Sequence, residues 1–257
     1  MTLPPVCILA GGLGTRLGHR VADTPKPLVQ VAGQPFLFHQ LRLLAAHGAE
    51  RVVLCVGYLG EMIEAEVGTQ HFGIEIEYSY DSPGLDGTLG ALRRAASLLG
   101  DRFLVLYGDT YLQLDYRAAV RAWMESGLPA MMTVFRNQDR WDTSNVIYAD
   151  GRVLVYDKTR RSSSMLWIDY GLGGLEACVI AEVDAAEPDL AALYRLLAGR
   201  RRLFGYEVHE RFYEIGTPAA LAETETFLGR RLALEDEGRA SIADTGPERP
   251  TPSADAA

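Results

Sequence analysis

The sequence has few cysteines, no long apolar run and no excess of positive charge. Cys7, Cys55 and Cys178 are an odd number of thiols, each inside an apolar stretch, which argues against a disulfide framework and predicts reduced, buried cysteines. No window approaches the roughly 20 apolar residues of a membrane-spanning helix, and the N-terminus lacks the features of a signal peptide. The net charge of -9 gives no sign of the basic face that nucleic-acid binding requires. We expect a cytoplasmic protein with neither a membrane nor a nucleic-acid partner.

Lysine is also nearly absent from the chain. Of its 25 Lys and Arg residues, only Lys26 and Lys158 are lysines. Pro25 and Pro27 flank Lys26 and fix the backbone on both sides of it. A lysine held so stiffly is placed rather than merely solvated, although the chance survival of two surface lysines is the alternative.

The first 110 residues alternate between apolar runs and amphipathic stretches. The runs predict buried strands, the first over Val6 to Ala10, and the stretches predict helices. This alternation is typical of an α/β fold with a doubly wound, mostly parallel sheet.

The second half of the chain predicts further strands rather than a second domain. They are expected over 129–136, 166–180 and 202–216, with a hairpin that turns at Asp150-Gly151 and a closing helix from about Pro218 to Leu234. One domain over 1–234 is favoured. Residues 235–257 hold six acids, three prolines and little apolar surface, which predicts a disordered acidic tail.

A long glycine-rich loop, LAGGLGTRLGHRVADTPKPL at 9–28, follows the first predicted strand. Connections between a strand and a helix usually take about two to six residues, and longer ones tend to be functional. The G-x-G-x-x-G motif of dinucleotide-binding loops is absent, because Leu17 stands where its third glycine belongs. A Walker A loop is excluded, because the dipeptide Gly-Lys that it requires occurs nowhere in the chain. A flexible turn remains as one interpretation. The other is a loop whose amides cradle a triphosphate while Arg16 supplies a fork of donors.

Several motifs carry a resemblance to a known family. G-G-x-G-T-R-L at 11–17 and T-P-K-P at 24–27 resemble the signature of the sugar-1-phosphate nucleotidyltransferases. The segments LYGDT, VYDK and FYEIGTP, at 106–110, 155–158 and 212–218, are similar to further motifs of that family. The segments 142–158 and 168–177 look most like its manno-heptose-1-phosphate guanylyltransferase branch. Both lysines fall in the family's phosphate-contacting motifs, where a compact ammonium can approach a crowded phosphate.

The resemblance implies a fold and a reaction. The fold is a Rossmann-like three-layer α/β/α domain with a mixed, mostly parallel sheet, divided into a nucleotide-binding half, 1–110, and a sugar-phosphate-binding half, 111–234. The reaction joins a nucleoside triphosphate to a sugar 1-phosphate and releases pyrophosphate. The sugar phosphate is already a dianion near neutral pH because its second pKa is about 6, so no general base is needed. Stabilising the charge on the two polyanions calls for cations and a metal.

The resemblance also implies roles for individual residues. Asp109 would be the first Mg²⁺ ligand and Glu214 the second, although the family often has aspartate at the latter position. The catalytic group would be Arg16, Lys26, Asp109 and Lys158. Nucleotide binding would fall to Leu9, Ala10, Gly11, Gly12, Gly14, Thr15, Arg16, Gly87 and Thr88. Sugar-phosphate binding would fall to Asn145, Asp157, Lys158, Asp169, Tyr170 and Gly171, although a tyrosine in a strand is more often plain core.

Three questions stay open at this point. Leu89 and Asp86 replace a glycine and a leucine that are common in the family's base-binding segment, so another base or sugar remains an alternative to GTP with manno-heptose 1-phosphate. Mannose or glucose 1-phosphate with GTP, UTP, CTP or dTTP are the combinations considered. A catalytically inactive nucleotide-sugar sensor is the alternative of another class. The chain is expected to be a monomer or a homodimer.

Overall fold

The structure is a computed structural model that describes residues 2–12, 23–82 and 87–244, with side chains as far as Glu235. Its strands are β1 Val6–Leu9, β2 Gln30–Val31, β3 Gln34–Pro35, β4 Arg51–Val56, β5 Gln70–His71, β6 Ile74–Tyr80, β7 Arg102–Tyr107, β8 Thr110–Tyr111, β9 Ala130–Phe135, β10 Val146–Ala149, β11 Arg152–Tyr156, β12 Ile168–Glu176, β13 Leu203–Val208 and β14 Tyr213–Glu214. Its helices are α1 Phe36–Ala46, α2 Gly60–Val67, α3 Gly87–Leu99, α4 Tyr116–Ser126, α5 Leu190–Gly199 and α6 Pro218–Asp244. Short 3₁₀ turns cover Lys26–Leu28 and Ala177–Glu182.

A mixed sheet of ten strands forms the middle layer, in the order β10-β11-β13-β9-β12-β7-β1-β4-β6-β5. Relative to β1, the strands β4, β6, β7, β9, β10 and β13 run in the same direction, whereas β5, β11 and β12 run the opposite way. The prediction of a mixed, mostly parallel sheet is therefore confirmed. Two small ladders, β2 with β3 and β8 with β14, lie outside it.

Residues alternate between the two faces of the sheet along each strand. Helices cover both faces, so each face has its own apolar core. In β1, Val6 and Ile8 belong to the apolar core that also contains the buried side chains of α1 and α4. Cys7, between them, belongs to the opposite core, which contains those of α3 and α5. The molecule thus has the three-layer α/β/α architecture that was expected. Among the described helices, none is both long enough and apolar enough to cross a membrane.

The predicted elements of the first half and the Asp150-Gly151 hairpin are confirmed. Asp150 and Gly151 both have positive φ, 49° and 72°, as a two-residue type I′ turn requires. The helices α4 and α5 were not predicted. Both carry a capping signal, since Asp115 accepts a hydrogen bond from the Ala118 N–H at 2.9 Å and Asp189 accepts one from the Ala191 N–H at 2.9 Å.

The closing helix is longer than the sequence pattern indicated. It was expected to end near Leu234, but α6 continues to Asp244. Acidic and basic residues here do not stop a helix, since Glu and Arg are good helix formers. The part of the predicted tail from 245 to 257 lies outside the described residues.

The prediction of three buried cysteines is wrong for Cys178. Cys7 and Cys55 are buried on the adjacent strands β1 and β4, with their Sγ atoms 3.3 Å apart. Their mutual hydrogen bond and their burial raise the pKa of Cys7 well above its usual value. Cys178 lies in the 3₁₀ turn after β12 and is exposed, because Val179 and Ile180 take the buried positions of that turn.

A thiol reagent should distinguish these cysteines. In the native protein we expect rapid modification of Cys178 alone, because Cys178 is exposed whereas Cys7 and Cys55 are buried. All three thiols should react after denaturation, as counted by absorbance with a disulfide reagent. A Cys178→Ser variant should lose the rapid phase. Rapid reaction of the native Cys178→Ser variant would contradict the burial of the other two.

Candidate active site

The carboxyl ends of four parallel strands meet at one edge of the sheet. Ala10 and Gly11 follow β1, Gly57 follows β4, Asp81 follows β6, and Gly108-Asp109 follows β7. In open α/β sheets, ligands bind in the crevice outside this edge. Of the predicted site residues, Ala10, Gly11 and Asp109 therefore lie where a ligand is expected.

Asp81 is packed against backbone from two neighbouring strand ends. A Cβ at Gly11 would lie 2.6 Å from the Asp81 Oδ2, and a Cβ at Gly57 would lie 2.9 Å from the same oxygen. Both positions therefore need glycine for the carboxyl to fit. Sequence analysis did not single out Asp81, although an acid directly after a buried strand was the signal that could have identified it.

The backbone of β1 also supports the turn that carries Asp109. The Leu9 carbonyl accepts a hydrogen bond from the Gly108 N–H at 2.9 Å, and a Cβ on Gly108 would lie only 3.0 Å from that oxygen. The Ala10 N–H donates to the Cys55 carbonyl at 2.8 Å. Leu9 and Ala10 thus fix the strand ends, and Gly12 is exposed with open space above it. Gly14, Thr15 and Arg16 lie outside the described residues.

An ion pair joins the two motifs that the sequence placed far apart. The Lys26 Nζ lies 2.6 Å from the Asp109 Oδ2, with the lysine side chain 11% exposed and the aspartate side chain 31% exposed. Lys26 begins a 3₁₀ turn directly after the extended Pro25, so its backbone is fixed before the side chain reaches the carboxylate. The prediction that Lys26 is placed rather than merely solvated agrees with this contact.

Glu214 joins this group through the ladder between β8 and β14. It pairs with Thr110, and the next residue, Ile215, donates its N–H to the Asp109 carbonyl at 3.0 Å. A Cβ at Gly216 would lie 2.8 Å from the Glu214 Oε2 and 3.5 Å from the Lys26 Nζ. The structure therefore brings Lys26, Asp109 and Glu214 together.

The donor set at this point suits a metal ion that is shared with a substrate. Within the described residues, there is no group of three or more His, Cys, Asp or Glu side chains able to enclose a metal. Asp109 and Glu214 provide two carboxylates, and Mg²⁺ is usually held by one or two carboxylates together with phosphate oxygens and waters. The residues present fit Mg²⁺ on that basis.

The second lysine lies near the same turn. The Lys158 Nζ is 5.8 Å from the centre of the Tyr107 ring and 5.9 Å from that of Tyr156. Tyr107 is the last residue of β7 and is separated from Asp109 only by Gly108. Both lysines of the chain therefore contact side chains of one four-residue turn, 107–110.

Asn145, Asp157 and Asp169 surround Lys158. The Asn145 carbonyl accepts the Asp157 N–H at 3.0 Å, and its side-chain Oδ1 accepts the Asp169 N–H at 3.0 Å. The Asp157 carboxylate accepts hydrogen bonds from the Thr159 hydroxyl and from the Thr159 and Arg160 N–H groups, which lower its pKa to about 2. Asp157 thus fixes the loop that carries the lysine.

Two of the predicted sugar residues lie elsewhere on β12. Tyr170 is buried, and its hydroxyl donates to the Gln113 carbonyl at 3.2 Å while its ring packs near Phe135 and Phe212. It belongs to the core on the opposite face from Asp169. Gly171 has a φ of 109°, which favours glycine, while a Cβ there would make only an ordinary contact with Leu112 at 3.6 Å.

Gly87 and Thr88 contact the start of α5 rather than the strand ends described above. A Cβ at Gly87 would lie 2.4 Å from the Pro188 carbonyl oxygen, and Gly87 has a φ of 67°. The Thr88 hydroxyl accepts the Leu190 N–H at 2.8 Å and donates to Asp189 at 3.3 Å. These contacts dock α3 on α5, and the role of both residues in base binding stays a prediction.

Gln40 positions the 107–110 turn, and sequence analysis missed it. Its buried amide Nε2 donates to the Tyr107 carbonyl at 2.9 Å and to the Thr110 carbonyl at 2.8 Å. One amide group therefore binds both ends of the turn that holds Asp109. A polar residue on the buried face of the apolar helix α1 was the signal in the sequence.

Comparison with known proteins identifies the family. The family model described as nucleotidyl transferase matches residues 6–150, more than half of the chain, which therefore belongs to the nucleotidyl transferase family. It is 28% identical over 218 residues to the mannose-1-phosphate guanylyltransferase catalytic subunit beta of Drosophila pseudoobscura pseudoobscura, covering 82% of this chain but 58% of that relative. It is 29% identical over 216 residues to the D-glycero-alpha-D-manno-heptose 1-phosphate guanylyltransferase of Campylobacter jejuni, covering 82% of this chain and 94% of that relative.

Solved structures agree with this assignment. HddC from Yersinia pseudotuberculosis, solved in complex with GMP-PN, matches with a TM-score of 0.71 and 25% identity over 88% of this chain and 100% of its own. A putative glucose-1-phosphate thymidylyltransferase from Bacillus anthracis shares the fold, with a TM-score of 0.79 at 19% identity over 89% of this chain and 96% of its own. The chain spans 58% and 61% of the length of two mannose-1-phosphate guanylyltransferase relatives.

Replacing Gln40 should slow nucleotidyl transfer more than it unfolds the protein. In Gln40→Met the Tyr107 and Thr110 carbonyls lose their common donor, so we expect kcat to fall about 10- to 100-fold with KM nearly unchanged. Steady-state kinetics and thermal unfolding would be measured together.

His39→Leu is the matched control, because His39 is a buried polar residue of the same helix that contacts the Val31 carbonyl instead. It should lower the melting temperature without a comparable fall in kcat. Equal kcat losses in the two variants would contradict a positioning role for Gln40.

Proposed function

We propose that this chain transfers a guanylyl group from GTP to a sugar 1-phosphate, with manno-heptose 1-phosphate as the preferred sugar. The observation that carries the proposal is the 107–110 turn, where Lys26 pairs with Asp109 close to Glu214 and Lys158 lies over the ring of Tyr107. One site with two separate cations suits a reaction between two phosphate substrates. Mannose 1-phosphate is the second candidate, because the chain is 28% identical to a mannose-1-phosphate guanylyltransferase over 82% of its length.

The reaction needs no proton transfer to begin. A phosphate oxygen of the sugar 1-phosphate, already anionic near neutral pH, attacks the α-phosphorus of GTP. The bond between the α- and β-phosphates breaks, GDP-sugar forms, and pyrophosphate leaves with the bonding electron pair. The tasks of the protein are then to orient two polyanions and to stabilise the charge that grows on the leaving group.

Lys26 is proposed to exchange partners when GTP binds. Without substrate, its ammonium neutralises Asp109 at 2.6 Å. The triphosphate supplies a denser negative charge, so Lys26 would turn to it and release the carboxylate. Asp109 and Glu214 would then hold Mg²⁺, which would neutralise charge on the phosphates and leaving pyrophosphate. Arg16, in the loop between β1 and Lys26, is proposed as a further phosphate donor.

The similarity to guanylyltransferases supports guanine as the base. The chain is 29% identical to a D-glycero-alpha-D-manno-heptose 1-phosphate guanylyltransferase over 82% of its own length and 94% of that relative.

The remaining proposed roles are nucleotide binding by the first half of the chain and sugar-phosphate binding by the second. The glycines and backbone at 9–12, with 14–16, are proposed to line the nucleotide, and Lys158 with Asn145 and Asp157 to bind the sugar phosphate. A cytoplasmic location is part of the proposal, since the three cysteines are an odd number and do not suggest a disulfide framework.

Pyrophosphate release provides the test of function. Purified protein would be incubated with each of GTP, UTP, CTP and dTTP against a panel of sugar 1-phosphates that includes manno-heptose, mannose and glucose. We expect the highest kcat/KM with GTP and manno-heptose 1-phosphate, and no turnover with EDTA. Asp109→Ala is the control, since it removes a carboxylate at a strand end without touching the core. Absence of release with every pair would overturn the enzymatic proposal and favour a nucleotide-sugar sensor.

The two lysines should have separable effects. Lys26→Ala should weaken GTP affinity and slow the chemical step, because Lys26 lies with Asp109. Lys158→Ala should mainly lower kcat/KM for the sugar phosphate, by about 10²- to 10³-fold, with GTP affinity nearly unchanged. Calorimetry would measure GTP affinity beside the kinetics. Lys158→Arg should restore activity only in part, since a guanidinium differs from an ammonium in shape. An equal loss of GTP affinity in both alanine variants would show that the lysines share one phosphate site.

A further inference from the structure

Asp169 is an acid whose carboxyl lies beside tyrosine side chains. It is the second residue of β12, and its side chain lies on the face of the sheet that α5 covers. Its Oδ2 accepts a hydrogen bond from the Tyr156 hydroxyl at 3.3 Å, and its Oδ1 accepts the Gly171 N–H at 3.1 Å. Tyr107 and Tyr194 complete the surroundings, since the Asp169 charge contributes to the raised pKa of each.

Lys158 is a cation whose charge acts on this carboxyl. The Lys158 ammonium forms no ion pair within 4.0 Å among the described residues, and its contacts there are the faces of Tyr107 and Tyr156. Tyr156 therefore touches both groups, with its hydroxyl on Asp169 and its ring beneath Lys158. The positive charge of Lys158 acts on the Asp169 carboxyl and lowers its pKa, opposing the effect of burial.

We propose that Asp169 is a positioning residue that holds the Lys158 ammonium over the Tyr107–Tyr156 ring pair through its charge and through the Tyr156 hydroxyl. The inference rests on the proposed function, in which Lys158 binds the sugar phosphate. It differs from the sequence prediction that Asp169 contacts the sugar itself. An ammonium on a flexible stem needs such a counter-charge, because its three donors can otherwise point in many directions.

The charge of Asp169 has opposite effects on the stability of the fold and on the proposed activity. Burial is the largest influence on Asp169 and raises its pKa despite Lys158, Gly171 and Tyr156. An acid whose folded pKa is raised stabilises the fold only while it is protonated, so this stability is lost as the pH rises through the folded pKa. In its ionised form the Asp169 carboxylate therefore lowers the stability of the fold while it serves Lys158.

An isosteric substitution separates the two effects. Asp169→Asn keeps the shape and can still pair with Tyr156 and Gly171, but it removes the charge. We expect kcat/KM for the sugar 1-phosphate to fall about tenfold with GTP affinity unchanged. The melting temperature of Asp169→Asn should exceed that of the wild-type protein where the wild-type carboxyl is ionised, and this gain should shrink as the pH falls and that carboxyl protonates.

Asp115→Asn is the matched control for the stability measurement. Asp115 caps α4, and the Ala118 N–H lowers its pKa in the folded protein, the opposite direction to Asp169. This variant should lower the melting temperature slightly near neutral pH, because asparagine caps a helix without the charge. It should leave the kinetics unchanged.

A double-mutant cycle with Lys158→Ala decides between the two roles of Asp169. If Asp169 acts through Lys158, adding Asp169→Asn to Lys158→Ala should change kcat/KM no further. A further loss in the double variant would show direct contact with the sugar and overturn the inference, as would unchanged kinetics in Asp169→Asn. A lower melting temperature together with weaker use of both substrates would also overturn it, since that pattern marks a structural role. Failure of the wild-type protein to turn over any substrate pair would count against the proposed function instead.

Discussion

The ion pair between Lys26 and Asp109 is the contact on which the rest of the site depends. It joins the segment that follows the glycine loop to the end of β7, two parts of the chain separated by 83 positions. A partly buried ammonium and carboxylate are each costly to leave alone, so each keeps the other in place until a stronger partner arrives. In the proposed function, the phosphates of a nucleotide are that partner for Lys26, and the nucleotide would open the ion pair.

The 107–110 turn links this pair to every other part of the site. Leu9 and Gln40 hold the turn from β1 and α1, and Ile215 holds it from the segment that follows Glu214. Tyr107, at the start of the turn, contacts Lys158. The first and second halves of the chain thus meet at four consecutive residues. A small displacement of this turn would move both cations relative to the reacting phosphates, which explains why buried residues such as Gln40 are expected to affect turnover.

Local patterns in the sequence were sufficient for much of the fold. Apolar runs predicted the buried strands, and Asp150-Gly151 predicted the hairpin, because strand burial and turn conformation depend on adjacent residues. The motifs also indicated Lys26, Asp109, Glu214 and Lys158, which the structure places around one turn. What remained unpredicted depends on register between distant segments. Thr88 docks on Leu190, Gln40 reaches the Tyr107 carbonyl, and Asp81 packs against Gly11, and no local pattern specifies any of these contacts. Cys178 shows the same limit, since an apolar run does not reveal which side of a 3₁₀ turn faces the core.

The central claim is that Asp109 passes from Lys26 to a metal ion when the nucleotide binds. Its most direct test is the affinity for GTP, measured by calorimetry with Mg²⁺ or with EDTA, in the wild-type protein and in Asp109→Asn. The wild-type protein should bind GTP at least about tenfold more tightly with Mg²⁺ than with EDTA. With Mg²⁺ present, Asp109 can bind the metal ion while Lys26 binds the phosphates. Asp109→Asn should lose this dependence, since its amide is a poor ligand for Mg²⁺ and no longer holds Lys26. An unchanged Mg²⁺ dependence in Asp109→Asn would contradict the account.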